Sequence, residues 1–243
     1  IDFLVNLETD SYLVATDSTN AEIVETLFLA QVDGGFVRQE IEGQPIRFVD
    51  WLAPGILGMN VMFSGLFGVG FVIVRYRRNG VLKRMKATPT SPLEFVAAQA
   101  ASRFIIVFLV SIVIFIAITL LVDLLILGNP IYLLVLAALG ILSMISLGLV
   151  FASRMKNEEL ANGLMNLVTW PMMLFSGVFF SLEAAPALLQ RFSRVFPLTH
   201  MLEGIRAVML DGAGLADIWV NIVALGAFTL VFTAIASATF RWE

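Results

Sequence analysis

His200 and Glu203 stand three residues apart, a spacing that puts both on one face of a helix. An imidazole beside a carboxylate can move a proton or supply two ligands to zinc. A zinc site needs three or four ligands, and no others stand out nearby. A cap or an ordinary hydrogen bond is the simpler use of the pair. A membrane-embedded enzyme would have to work with His200 and either Glu183 or Glu203, and His200→Ala would then abolish activity without disturbing assembly. Glu158 and Glu159 are a second carboxylate pair. They follow Asn157, so they read as the first turn of a capped helix, where negative charge complements the helix dipole. The lysines are Lys83, Lys86 and Lys156, and none follows a glycine in a phosphate-loop pattern. Any ATP chemistry therefore belongs to another chain. With no cysteine in 243 residues, disulfides, thiolate metal sites and cysteine nucleophiles are all excluded.

The elements that would position these residues are unusually apolar. The chain is 59% hydrophobic and 14% charged, with a mean hydropathy of +0.91. Soluble domains carry about 25% charge. The apolar residues fall in five uncharged runs, at 51–74, 104–122, 131–151, 160–180 and 218–240. As helices these run roughly 28–36 Å, against a hydrocarbon core of about 30 Å. In 104–122 every residue except Ser111, Ala117 and Thr119 is Ile, Leu, Val or Phe, so insertion gains roughly 5–10 kcal/mol. Arg103 would oppose this by about 3 kcal/mol at the bilayer centre, but at the membrane boundary it can snorkel.

Charge sets the orientation. Arg75, Arg77, Arg78, Lys83, Arg84, Lys86, Arg103, Arg154, Lys156 and Arg241 fall on one side of the five runs. Arg38, Arg47, Arg191, Arg194 and Arg206 fall on the other. The positive-inside rule makes the first side cytoplasmic. The C-terminus is then inside, and residues 1–50 form an extracytoplasmic domain. That domain is acidic, with ten carboxylates opposed by Arg38 and Arg47. It reads as small and mixed α/β: a strand near Tyr12–Ala15, a helix opened by a Thr19/Glu22 capping box, then extended structure from Val37 to Phe48. An outside domain ahead of the first run needs its own export route. A further span upstream of Ile1 is the expectation, with the N-terminus incomplete. The net charge of −4 argues against a nucleic-acid partner.

Three soluble features remain. In the loop 75–94, Pro89 and Pro92 interrupt a basic helix, and Ser91-Pro92-Leu93-Glu94 starts a new one. By composition the loop is an orientation signal that meets anionic lipid. A docking element for a cytoplasmic partner is the sharper reading. In 183–210, Pro197 divides two amphipathic helices, one with Leu188, Phe192 and Val195 on a face, the other with Leu202, Ile205 and Met209. Interfacial or re-entrant helices fit this pattern. Within the spans, Ser64 and Gly68 form a small-residue pair, with Gly55, Gly58, Gly65 and Gly70 nearby, on a first-span face suited to close helix packing, and Pro171 predicts a kink. The runs carry no ionisable residue. Ion-coupled carriers usually need one, which weighs against an ion-coupled transporter or channel as the alternative function.

Several segments read as phrases: DWLAPGILGMN (Asp50–Asn60), FSGLFGVGF (Phe63–Phe71), VRYRRNGVLKRMKATP (Val74–Pro89), FASRMKNEELAN (Phe151–Asn162), WPMMLFSGVFFS (Trp170–Ser181) and FPLTH (Phe196–His200). Together they resemble the permease family of ABC type-2 transporters, the drug- and polysaccharide-exporter group, across about residues 48–243. The resemblance implies an all-α membrane protein of six spans, of which this chain holds five. It also implies two permeases, forming a homo- or heterodimer in the cell membrane and working with separate ABC ATPase subunits. The permease itself is then no enzyme and binds no cofactor, with ATP acting through the partner. Arg75, Arg77, Arg78, Lys83, Arg84, Lys86 and Glu94 would form the ATPase-coupling segment. Arg154, Lys156, Glu158 and Glu159 would form a second cytoplasmic loop. Residues 183–210 would be the re-entrant outer helices.

Overall fold

Ser91 shows how local chemistry places the elements. Its hydroxyl accepts a hydrogen bond from the Glu94 amide at 3.2 Å, and the Glu94 carboxylate accepts one from the Ser91 amide at 2.8 Å. With Pro92 at the first helical position, this closed cap starts a 31-residue helix. The computed structural model describes residues 3–6, 11–15, 24–28, 30, 37–41, 46–155, 157–182, 185–240 and 242. Its elements are β1 (Phe3–Asn6), β2 (Ser11–Ala15), β3 (Val37–Ile41), α1 (Phe48–Arg78), α2 (Val81–Met85), α3 (Pro92–Val122), α4 (Pro130–Ala152), α5 (Glu158–Phe175), α6 (Ala187–Ser193), α7 (Pro197–Asp211) and α8 (Leu215–Thr239). The protein is mostly helical, and it divides into two compact units, Ile1–Arg47 and Phe48–Glu243.

In the first unit β2 is the middle strand, antiparallel to β1 and parallel to β3. A parallel pair needs a long crossover, and residues 24–28, which lie in that connection, are helical. Tyr12 of β2 is buried. Its hydroxyl donates to Glu25 at 3.0 Å, and its ring packs on Phe28. The expected Thr19/Glu22 cap lies outside the described residues.

In the second unit four helices among the described residues are long and apolar enough to cross a membrane: α1, α3, α4 and α8. The fifth apolar run, 160–180, gives a shorter element. α5 ends at Phe175, and Gly177 takes a left-handed conformation at φ 72° that L-residues with side chains avoid. Asn162, Asn166 and the two glutamates also dilute its hydropathy. Pro171 sits inside α5. α4 is the most buried of the four, whereas few residues of α3 and α8 are fully buried and many of their apolar side chains are exposed. Helices that are apolar all round but exposed need lipid around them.

α1 crosses α4 at glycines. A Cβ on Gly148 would lie 2.8 Å from the Leu66 carbonyl oxygen, and one on Gly65 would lie 2.9 Å from the Met144 Cβ. Gly65, one of the glycines expected beside the Ser64/Gly68 pair, is thus the contact of α1 with α4. Gly68 packs against the Arg103 guanidinium of α3, which fills the space a Cβ would take. α3 begins eleven residues before Arg103, at the Ser91 cap. α4 meets α8 through hydroxyl pairs, Ser146 with Thr233 at 3.0 Å and Ser153 with Thr239 at 2.9 Å. Such contacts hold helices together where no hydrophobic force acts between them.

The ends of the bundle are tied too. Buried Asp50, in the first turn of α1, accepts from the Leu125 amide at 3.1 Å. The Leu127 amide donates to the Met209 carbonyl at 2.9 Å, which fixes the α3–α4 connection to the end of α7. The helices α6 and α7 behave differently. Leu188, Phe192 and Val195 of the α6 region are exposed, while Leu202, Ile205 and Met209 of α7 lie in the core.

Candidate functional site

The last turn of α1 carries Arg75, Arg77 and Arg78, cations placed where the helix dipole favours them. Gly80, at φ 69°, then reverses the chain. α2 follows as five residues, anchored by Leu82, which is fully buried, while Lys83, Arg84 and Lys86 are exposed. Thr88 closes the end of α2 by donating to the Met85 carbonyl at 2.6 Å. The Ser91 cap starts α3 immediately after. The result is a basic elbow with a rigid root on each side.

Two of the cations engage neighbouring elements. Arg77 turns back onto the end of α4 and donates through Nη1 to the Ala152 carbonyl at 3.1 Å, through Nη2 to the Ser153 carbonyl at 2.9 Å, and through Nη1 to the Met155 carbonyl as well. The last carbonyls of a helix have no partner within it. A planar five-donor guanidinium can meet several of them at once. Arg78 reaches Glu158 at 3.6 Å, an exposed pair worth about 0–1 kcal/mol. Below them Val74, Ala161 and Met165 form a small buried cluster, with Phe67, Phe71 and Met155 packed against it. The loops after α1 and after α4, about 75 residues apart in the chain, thus form one face.

The remaining expected residues take these places. Arg75, Arg154 and Glu159 are exposed, and Lys156 lies outside the described residues. Asn157 caps α5 by accepting from the Glu159 amide at 3.2 Å. Glu94 is exposed but engaged in its cap. Ser64 and Gly68 lie mid-helix on α1, away from this face, and Pro171 lies near the other end of α5.

A second polar cluster lies at the opposite end of the helices. Arg206 of α7 stacks on Trp51 with 3.9 Å to the ring centroid, and it donates to the carbonyls of Trp51, Gly177 and Val178 at 3.2, 2.8 and 3.4 Å. It therefore ties the start of α1 to the end of α5. Burial takes its pKa down to about 10, against the pull of Glu203, which raises it. It stays charged at neutral pH. A polar cavity of about 380 Å³ adjoins it, lined also by Glu203, Gln190 and Asp211. Sequence reasoning counted Arg206 only as a charge. The available signal was a cation beside Ile205, within the buried face of an amphipathic helix. His200 Nε2 lies 2.9 Å from the Arg194 carbonyl, and the His200 carbonyl accepts from Asn221. These are structural bonds, and no hydrogen bond joins His200 to Glu203 among the described residues. Among those residues, no group of three or more His, Asp or Glu side chains could hold a metal ion. Glu183 lies outside them.

The profile of the ABC-2 family transporter proteins matches residues 7–238. The chain belongs to the ABC-2 transporter family. An ABC-2 protein similar to it is the inner membrane transport permease YhhJ of Escherichia coli (strain K12), 22% identical over 255 residues, which span 98% of this chain and 67% of that one. YhhJ of Shigella flexneri gives the same figures. The linearmycin resistance permease protein LnrN of Bacillus subtilis (strain 168) is 25% identical over 183 residues, 74% of this chain and 46% of LnrN. This ABC-2 chain is a membrane transport subunit.

Proposed function

We propose that the chain is the permease subunit of an ATP-driven ABC exporter. It moves a hydrophobic or amphipathic substrate (a drug, lipid or glycan) out of the cytoplasm by alternating access. ATP hydrolysis belongs to a separate ABC ATPase subunit, and a second permease completes the pathway. The observation that carries this reading is the exposed basic elbow at α2, rooted by Leu82 and by the Arg77 contacts. A push on α2 would pass directly to α1, through Arg77 to α4, and through Arg78 and Glu158 to α5. The family match supports the transport role, and the similarity to a resistance permease favours efflux. The charge asymmetry of the loops supports a cytoplasmic elbow and C-terminus in the cell membrane, with residues 1–50 outside. In this reading α5 is the fourth of five crossings, and α6 and α7 are the re-entrant outer helices.

Reversing Lys83→Glu, Arg84→Glu and Lys86→Glu together tests the docking. Glu94 is left in place because its carboxylate caps α3. Juxtaposing like charges in an interface costs several kcal/mol, so affinity for the ATPase should fall roughly 100-fold or more. The expected result is loss of co-purified ATPase and of substrate-stimulated hydrolysis, in a variant that still inserts and purifies normally. Unchanged co-purification and hydrolysis would remove the elbow from the mechanism.

A further inference from the structure

We propose that a cavity between α1, α3, α4 and α7 holds one acyl chain of a membrane phospholipid. The cavity measures about 310 Å³, at the small end of ligand-binding sites. Leu57 of α1, Phe108 and Ile112 of α3, Leu134 and Ala137 of α4 and Ile205 of α7 all line it, and Ser111 is the one polar side chain among its lining residues. Its back is closed by fully packed residues such as Val61 and Met201, whereas Ile116 and Leu134 at its rim are exposed. The cavity therefore opens sideways between α3 and α4, toward the medium that surrounds these helices.

Three arguments select the occupant. A water column needs two to four polar partners per molecule, and a lone hydroxyl supplies too few; apolar cavities of this kind stay dry. A helix from a second copy does not fit, because even two turns of a helix 10 Å across occupy roughly 800 Å³. An acyl chain is thin, apolar and present at the rim, since the hydrocarbon core bathes both α3 and α4. From Phe108 to Ile116 the lining runs about 12 Å along α3, which suits an extended chain lying along the helix. Met201 and Met209 give the wall unbranched side chains that adapt to an irregular guest. The inference does not depend on an ATPase partner or on the basic elbow.

The test uses the full chain in bilayer nanodiscs of phosphatidylcholine bearing a mid-chain diazirine. After illumination, crosslinks are mapped by mass spectrometry. Labelling is expected on Phe108, Ile112 and Leu134 as well as on Leu120 and Leu121, which face lipid at 80% and 84% exposure. Ala137→Phe fills the cavity, and Ser111→Phe fills it from the opposite wall should the first variant fail to fold. In a folded variant the Phe108 and Ile112 labels should fall to background while the Leu120 and Leu121 labels persist. Unlabelled lining residues overturn the proposal, and so does labelling that ignores the filling variants. Labelling of Phe108 and Ile112 by a water-soluble diazirine would mark a wet cavity and overturn it equally.

Discussion

Arg77→Ala should be the most damaging single substitution on the face formed by the loops after α1 and α4. It removes the donors that meet the Ala152, Ser153 and Met155 carbonyls. Hydrogen bonds from a charged donor contribute about 1.5–3 kcal/mol each. The guanidinium is half-buried, so solvent replaces part of that loss. A net cost of about 2–4 kcal/mol is expected. Arg77→Lys should recover little, because one ammonium cannot span three carbonyls in the guanidinium geometry. Two measurements check this. The thermal midpoint in detergent should fall for both variants, and trypsin should cut faster at exposed Arg154, whose loop Arg77 holds. Unchanged midpoint and unchanged cleavage would show that the loop holds itself. Transport should fall with stability, since Arg77 also links the end of α1, next to the basic elbow, to α4.

Gly148→Ala should be nearly as harmful, for a steric reason. The new methyl would meet the Leu66 carbonyl oxygen at 2.8 Å and the Leu66 Cα at 2.9 Å. Both atoms belong to a helix backbone and cannot rotate away. α1 and α4 must separate, and the Gly65–Met144 contact opens with them. Overpacking of this kind costs about 1–3 kcal/mol. Gly163→Ala is the matched control. That glycine lies in α5 with nothing within 4 Å of its would-be Cβ, so the change should be neutral, or stabilising by up to about 1 kcal/mol through helix propensity. Unfolding of both purified variants checks the contrast. Equal stability would mean that α1 and α4 have slack at their crossing.

The features legible in the sequence were those carried by neighbouring residues. The Ser91–Glu94 cap depends on a three-residue spacing, and the structure forms it at the expected position. Four apolar runs appear as long apolar helices, because length and hydropathy suffice to identify them. Features set by distant partners were hidden. The partners of Arg77 are main-chain carbonyls, which leave no mark on side-chain identity. The end of α5 depends on the φ of Gly177, and the apolar run simply continues past it to Phe180. The small-residue pattern revealed that α1 could pack closely but not which neighbours it meets: Gly65 approaches α4 and Gly68 approaches α3. Arg206 was hidden for the same reason as Arg77, since all three of its acceptors are carbonyls.

The most direct measurement of the central claim exploits a property of the chain itself. With no cysteine of its own, Arg84→Cys creates a single thiol on the exposed side of α2. This variant is co-expressed with the ABC ATPase subunit, and a short photoactivatable crosslinker is attached to the thiol. The account predicts a crosslink from position 84 to the ATPase, and none from a Leu188→Cys control on the exposed face of α6. An ATPase that remains uncrosslinked at position 84 while ATP-dependent transport continues would contradict it.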